Sequence, residues 1–149
     1  MQEVFPVASV LVIDDDPAVR TTIKLILERE GHAVAVAPEG RAGLAMLEAG
    51  GISLLICDIF MPGMDGLETL GEVRKHRPEL PVIVMSGSTS IFDSLENAPD
   101  FLAMAMKLGA VRGMRKPFKP NDLIAAVRDC LGGEAGSRDG KEGARANRV

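Results

Sequence analysis

The sequence predicts an α/β domain: a doubly wound, five-stranded parallel sheet in the order 2-1-3-4-5, flanked by five helices. Three observations predict it. Short apolar runs alternate with stretches of helical periodicity along the 149 residues. The runs are apolar throughout rather than at every second position, which implies strands buried on both faces. Right-handed crossovers between parallel strands then leave few topologies, with the switch point between the first and third strands.

The elements follow in order. Residues 7–13 form a mostly apolar, β-branched run that stops at Asp14, Asp15 and Asp16. Asp16 is placed to cap a helix whose first residue is Pro17, a position where the missing N–H costs nothing. Val19, Ile23, Ile26 and Leu27 recur at helical spacing, and Gly31 ends the helix. A short strand over 34–37 and a helix over 41–49 follow, closed by Gly50 and Gly51. Residues 52–58 read as a buried strand, 59–66 as a loop, and 67–76 as a helix that Pro78 cannot continue. Residues 80–85 are the fourth strand and 88–108 are mostly helical, interrupted at Pro99. A weak fifth strand over 110–115 precedes a last helix over 119–131, with Leu123, Ile124, Val127 and Leu131 on one face. Met104, Met106 and Met114 are expected in the core. His32 and His76 fall at element boundaries, and Cys57 is expected as inert strand packing.

Composition bounds the partners. Apolar residues make up 46% and charged residues 26%, as in ordinary globular domains. The formal net charge of −4 disfavours nonspecific nucleic-acid or anionic-membrane binding. The only aromatics are five Phe, which argues against base-stacking platforms. Two cysteines make no disulfide framework, and no apolar run suffices for a membrane span. The start of the chain has no signal-peptide pattern. A cytoplasmic domain over 7–131 is expected, after an extension over 1–6. Residues 132–149 contain one Val and no other large apolar residue, so a disordered tail is expected there.

In an open parallel sheet, ligands bind beyond the carboxyl ends of the strands. Asp14, Asp15 and Asp16 end the first strand, Asp58 the third, Ser86 the fourth and Lys116 the fifth. Singly, each reads as a cap or turn residue; together, at the ends of the right strands, they read as a site. Clustered carboxylates repel one another unless a cation is present, and hard oxygen ligands suit Mg²⁺. Asp14, Asp15 and Asp58 form the expected metal set. A carboxylate beside Mg²⁺ and an ammonium is also a possible nucleophile for phosphoryl transfer. Lys116 would neutralise charge, and the Ser86 hydroxyl would donate to a phosphoryl oxygen.

The stretches Val10-Leu11-Val12-Ile13-Asp14-Asp15-Asp16, Cys57-Asp58-Ile59-Phe60-Met61-Pro62-Gly63-Met64-Asp65-Gly66, Val84-Met85-Ser86-Gly87 and Lys116-Pro117-Phe118 carry a resemblance to the receiver domains of two-component response regulators. It covers about residues 7–131 and implies a flavodoxin-like fold. By resemblance, Asp58 is the phosphoacceptor and Asp14 and Asp15 are the acidic pair that binds Mg²⁺. Phe60 would ligate the metal through its backbone carbonyl. Ser86 matches the switch hydroxyl and Lys116 the active-site lysine, and Lys116-Pro117 matches a bond that is usually cis. The implied partners are a histidine kinase or histidine phosphotransfer protein and a downstream protein, with no nucleic acid and no membrane. The implied protein is a signalling receiver rather than an enzyme in the usual sense. It would promote its own Mg²⁺-dependent phosphorylation and dephosphorylation.

Three departures from the family pattern stand out. Gly113 occupies the place of the usual aromatic switch residue, three positions before the lysine. The stretch from Ser86 to Gly109 is roughly two helical turns longer than in the commonest receivers. It is either a specialised partner surface or a neutral insertion. No effector domain follows, so a stand-alone receiver is expected, acting by protein contact or as a phosphate sink.

A competing reading is a haloacid-dehalogenase-type phosphohydrolase, since Asp14 and Asp16 form an Asp-x-Asp at the end of the first strand. It lacks a cap domain and has Ala18 where that family has a Thr. The two readings differ in the phosphorylated residue: Asp58 or Asp14. A phosphorylation-independent binding module is a third reading, weakened by the presence of every site residue.

Overall fold

The computed structural model describes residues 7–59, 66–87 and 101–132. Its strands are β1 (Ser9–Ile13), β2 (Ala33–Ala37), β3 (Leu54–Asp58), β4 (Val82–Gly87) and β5 (Arg112–Lys116). Its helices are α1 (Pro17–Arg29), α2 (Gly40–Ala49), α3 (Gly66–His76), α4 (Phe101–Lys107) and α5 (Pro120–Cys130). The sheet is parallel, in the order β2-β1-β3-β4-β5, as the apolar runs predict.

Strands β1 to β4 each supply two cores. In β1, Val10 and Val12 join Ile23, Leu27, Ile56, Met85, Leu123 and Val127 on the α1/α5 face. Leu11 and Ile13 join Leu55, Cys57, Val84, Leu70 and Val73 on the α2/α3 face, with Ala105 from α4. Successive side chains of a strand point to opposite faces, so a strand covered on both sides must be apolar at every position. Cys57 is accordingly buried packing.

The helix ends obey local chemistry. Asp16 caps α1 by accepting the Ala18 N–H at 2.9 Å, and Pro17 is its first residue. Gly31 closes α1 with a φ of 95°, a left-handed conformation that glycine adopts without strain. Glu39, a cap the sequence reading did not single out, accepts the N–H groups of Arg41 and Ala42 ahead of α2.

Several expectations shift; β1 and β3 start two residues later than expected, and β4 is Val82–Gly87 rather than 80–85. The fifth strand lies two residues later than expected at its start, because Ala110 instead bonds back to the Ala105 carbonyl at the end of α4. β5 is an edge strand of alternating half-buried and exposed residues, which explains its weak sequence signal. Met104 and Met106 are not core: they are 43% and 42% exposed. α4 meets the sheet through the fully buried Ala105 between them, which turns its two neighbours outward. Met114 does pack against the α1/α5 core. The expected helix over 88–100, with its Pro99 break, and the tail from 133 lie outside the described residues.

Candidate metal and phosphoryl site

The sheet order places the carboxyl end of β3 between those of β1 and β4. Asp58 is the last residue of β3, and Asp14 follows the last residue of β1. Carboxylate oxygens of Asp14, Asp15 and Asp58 all lie within 4.8 Å of one another. Asp14 is fully buried, Asp58 is nearly so, and Asp15 is exposed. Three carboxylates this close, two of them out of water, need positive charge to be stable.

Lys116 supplies part of it. The last residue of β5, it reaches back past β4, placing Nζ 2.8 Å from Asp14 Oδ2 and 3.4 Å from Asp58 Oδ2. Burial alone would lower the affinity of this ammonium for its proton. The hydrogen bond to Asp14 and the charges of Asp58 and Asp14 outweigh that, and the net shift is upward. Lys116 therefore carries its full charge at neutral pH. The peptide bond that follows it, Lys116-Pro117, is cis, as the resemblance implies.

Asp14 is held on every side. Its N–H donates to the Ala37 carbonyl at 3.2 Å. Its Oδ1 accepts the Asp16 N–H at 2.9 Å, and its carbonyl accepts from Arg20 Nη1 at 2.8 Å. Ser86 is buried in β4, one residue past Met85, the register partner of Asp58. Gly66 opens α3 tight against the backbone of Asp58. A Cβ there would overlap the Asp58 carbonyl, so only glycine fits. A shallow cleft of about 500 Å³ borders the rim, lined by Asp16, Val19, Thr22, Lys116 and Phe118 among others.

The structure thus brings together Asp14, Asp15, Asp58 and Lys116, and buries Ser86 at the same end of the sheet. Phe60 lies outside the described residues. Arg20 is a contributor that the sequence reading missed, and Gly66 is one it named in a motif without giving it a role. Gly66 carried a visible signal, since it directly follows Asp65 at the mouth of a helix. Arg20 carried little, because its contact depends on how α1 leaves the rim. Cys57 donates its thiol to the Asp58 carbonyl at 3.4 Å; at Cys130, burial pushes the thiol up to about 11, so it stays protonated.

The donor set fits a hard divalent cation: three carboxylates converge, and no softer ligand joins them among the described residues. The response regulator receiver domain pattern matches residues 10–128. The chain belongs to this family.

This receiver domain is 32% identical over 122 residues to an uncharacterized transcriptional regulatory protein, YkoG, of Bacillus subtilis (strain 168), covering 82% of the chain and 50% of the relative. It is 39% identical to the transcriptional regulatory protein FixJ of Azorhizobium caulinodans, over 83% of the chain and 55% of that protein. The receiver domain of NtrX from Brucella abortus superposes with a TM-score of 0.75 at 32% identity, over 85% of the chain and all of that domain. The chain spans about half the length of these two curated relatives. No helix among the described residues is long and apolar enough to cross a membrane.

Proposed function

We propose that the domain accepts a phosphoryl group on Asp58 from a phosphohistidine of a kinase or phosphotransfer protein. The observation that carries this reading is the convergence of Asp14, Asp15, Asp58 and Lys116 at the switch point of the sheet. An Asp58 carboxylate oxygen attacks phosphorus in line. The P–O bond forms as the donor's P–N bond breaks, and the departing imidazole takes up a proton. Hydrolysis reverses the state: water attacks phosphorus, the Asp58 O–P bond breaks, and inorganic phosphate leaves with a proton.

Lys116 stabilises charge on the phosphoryl oxygens, and Ser86 donates its hydroxyl to one of them. Asp14, Asp15, Asp58 and the backbone carbonyl of Phe60 would hold Mg²⁺, which when bound neutralises charge on the same oxygens. Asp14 is a poor alternative nucleophile, because its two carboxylate oxygens are committed to the Asp16 N–H and to Lys116. The output is a protein contact or a phosphate-sink role in the cytoplasm, and the net charge of −4 supports a protein rather than a nucleic-acid target.

Treatment with acetyl phosphate and Mg²⁺, followed by mass mapping, tests the reading. Label on Asp58 is expected. Label on Asp14 would indicate the phosphohydrolase chemistry instead. Mg²⁺ should also raise the thermal midpoint by mass action, and Asp15→Asn should blunt that rise. Equal rises in both proteins would count against the metal set.

A further inference from the structure

We infer that Arg20 is a positioning residue for the metal site, acting through the peptide that joins Asp14 to Asp15. The inference rests on the reading of Asp14, Asp15 and Asp58 as Mg²⁺ ligands. Asp15 is the ligand that needs outside help. Its carboxylate is exposed and makes no hydrogen bond or ion pair with the described residues, yet it sits within 4.8 Å of the Asp14 and Asp58 oxygens. Its aim is therefore set by its backbone.

Two peptide units flank the Asp15 Cα, and both are held. The N–H of the 15–16 unit donates to Asp14 Oδ1 at 2.9 Å. The C=O of the 14–15 unit accepts from Arg20 Nη1 at 2.8 Å. Rotation of either unit swings the Asp15 side chain out of the cluster. The 14–15 carbonyl lies past the end of β1, so no ladder bond of the sheet secures it.

The anchoring runs through α1. Asp16 caps that helix through the Ala18 N–H. One turn on, Arg20 bonds to the Asp16 carbonyl through its own N–H at 3.1 Å. From there its side chain reaches back six residues to Asp14. A planar, permanently charged guanidinium suits the task, since it fixes direction and makes a charge-assisted bond. Groups that orient metal ligands from outside the coordination shell typically change affinity 10–100-fold when removed.

Calorimetric titration of Mg²⁺ into the full chain decides the matter. Arg20→Met keeps the apolar stem and deletes the donor. It should weaken Mg²⁺ binding about 10-fold or more, and the half-saturating Mg²⁺ for labelling by acetyl phosphate should rise by the same factor. Its thermal midpoint in EDTA should stay near that of the wild type. Arg20→Lys restores a charged donor and should recover part of the affinity; it also serves as the comparison if Arg20→Met does not fold. Wild-type Mg²⁺ affinity in whichever variant folds overturns the role of Arg20. So does a fall in the EDTA midpoint with no change in half-saturating Mg²⁺. A wild-type chain that binds no Mg²⁺, or an Asp15→Asn chain that binds it as well as wild type, overturns instead the metal-site reading beneath it.

Discussion

At the carboxyl end of the strands, three like charges are held within 4.8 Å of one another, with Lys116 between two of them. At the amino end, several polar side chains that stand among the loops bond backbone carbonyls and amides. Arg74 donates to the carbonyls of Arg77, Pro78 and Gly109, tying the ends of α3 and α4 together. Arg77 reaches the Ile52 carbonyl, and Ser53 and His32 receive the N–H groups of Ser9 and Ala8. One end stores repulsion that a cation or phosphoryl chemistry can use; the other satisfies orphaned backbone groups and stabilises the fold. Activity and stability should therefore respond to substitutions at opposite ends of the same sheet.

The largest expected effect is at the rim. Asp58→Ala should abolish labelling by acetyl phosphate while leaving the metal-free fold intact or more stable, because one of three repelling carboxylates is gone. A variant that still takes up one labile phosphoryl group at the wild-type rate would refute the assignment. Gly66→Ala should sharpen the comparison, since it strikes rim function and packing together. Its Cβ must displace the Asp58 backbone, at a cost of about 1–3 kcal/mol. Labelling per folded molecule should drop as well, measured beside a chemical-denaturation curve. Normal labelling in a folded Gly66→Ala protein would break the link between this glycine and the site.

At the amino end, Arg74→Ala strips donors from three carbonyls and should cost about 1–3 kcal/mol of stability. Labelling per folded molecule should be unchanged. A stable Arg74→Ala protein with impaired labelling would reverse the proposed division between the ends.

The smallest effect concerns pH. Burial holds the His32 imidazole below its ordinary value of 6.5, with Glu30 opposing and Arg128 adding to the shift. Its Nδ1 must be unprotonated to accept the Ala8 N–H. The unfolded chain thus binds this proton more readily than the folded one. The His32 contribution is complete above pH 6.5 and declines as pH falls from there toward the lower folded value. His32→Asn should flatten that decline in thermal midpoints measured between neutral and mildly acidic pH. Parallel curves for the two proteins would remove His32 from the account.

The sequence by itself determined the strands of the sheet interior, because residues such as Val10, Leu11, Val12 and Ile13 must be apolar on both faces to lie between two helix layers. It also determined α1, through Asp16, Pro17 and Gly31, and it exposed Asp14, Asp15, Asp58, Ser86 and Lys116 as strand-end polar residues. These signals are local: a cap, a period, a break in an apolar run. Tertiary structure alone decided the rest. Met104 and Met106 look like core residues by type, but a short helix touching the sheet through Ala105 turns them outward. β5 is weak by composition because an edge strand is only half covered, and its bounds follow from the close of α4. Arg20 and Arg74 resemble any surface arginine in sequence; their partners are backbone carbonyls that carry no side-chain signature. Whether such a carbonyl is free to accept depends on where the chain leaves the sheet, and that is settled only when the elements are packed.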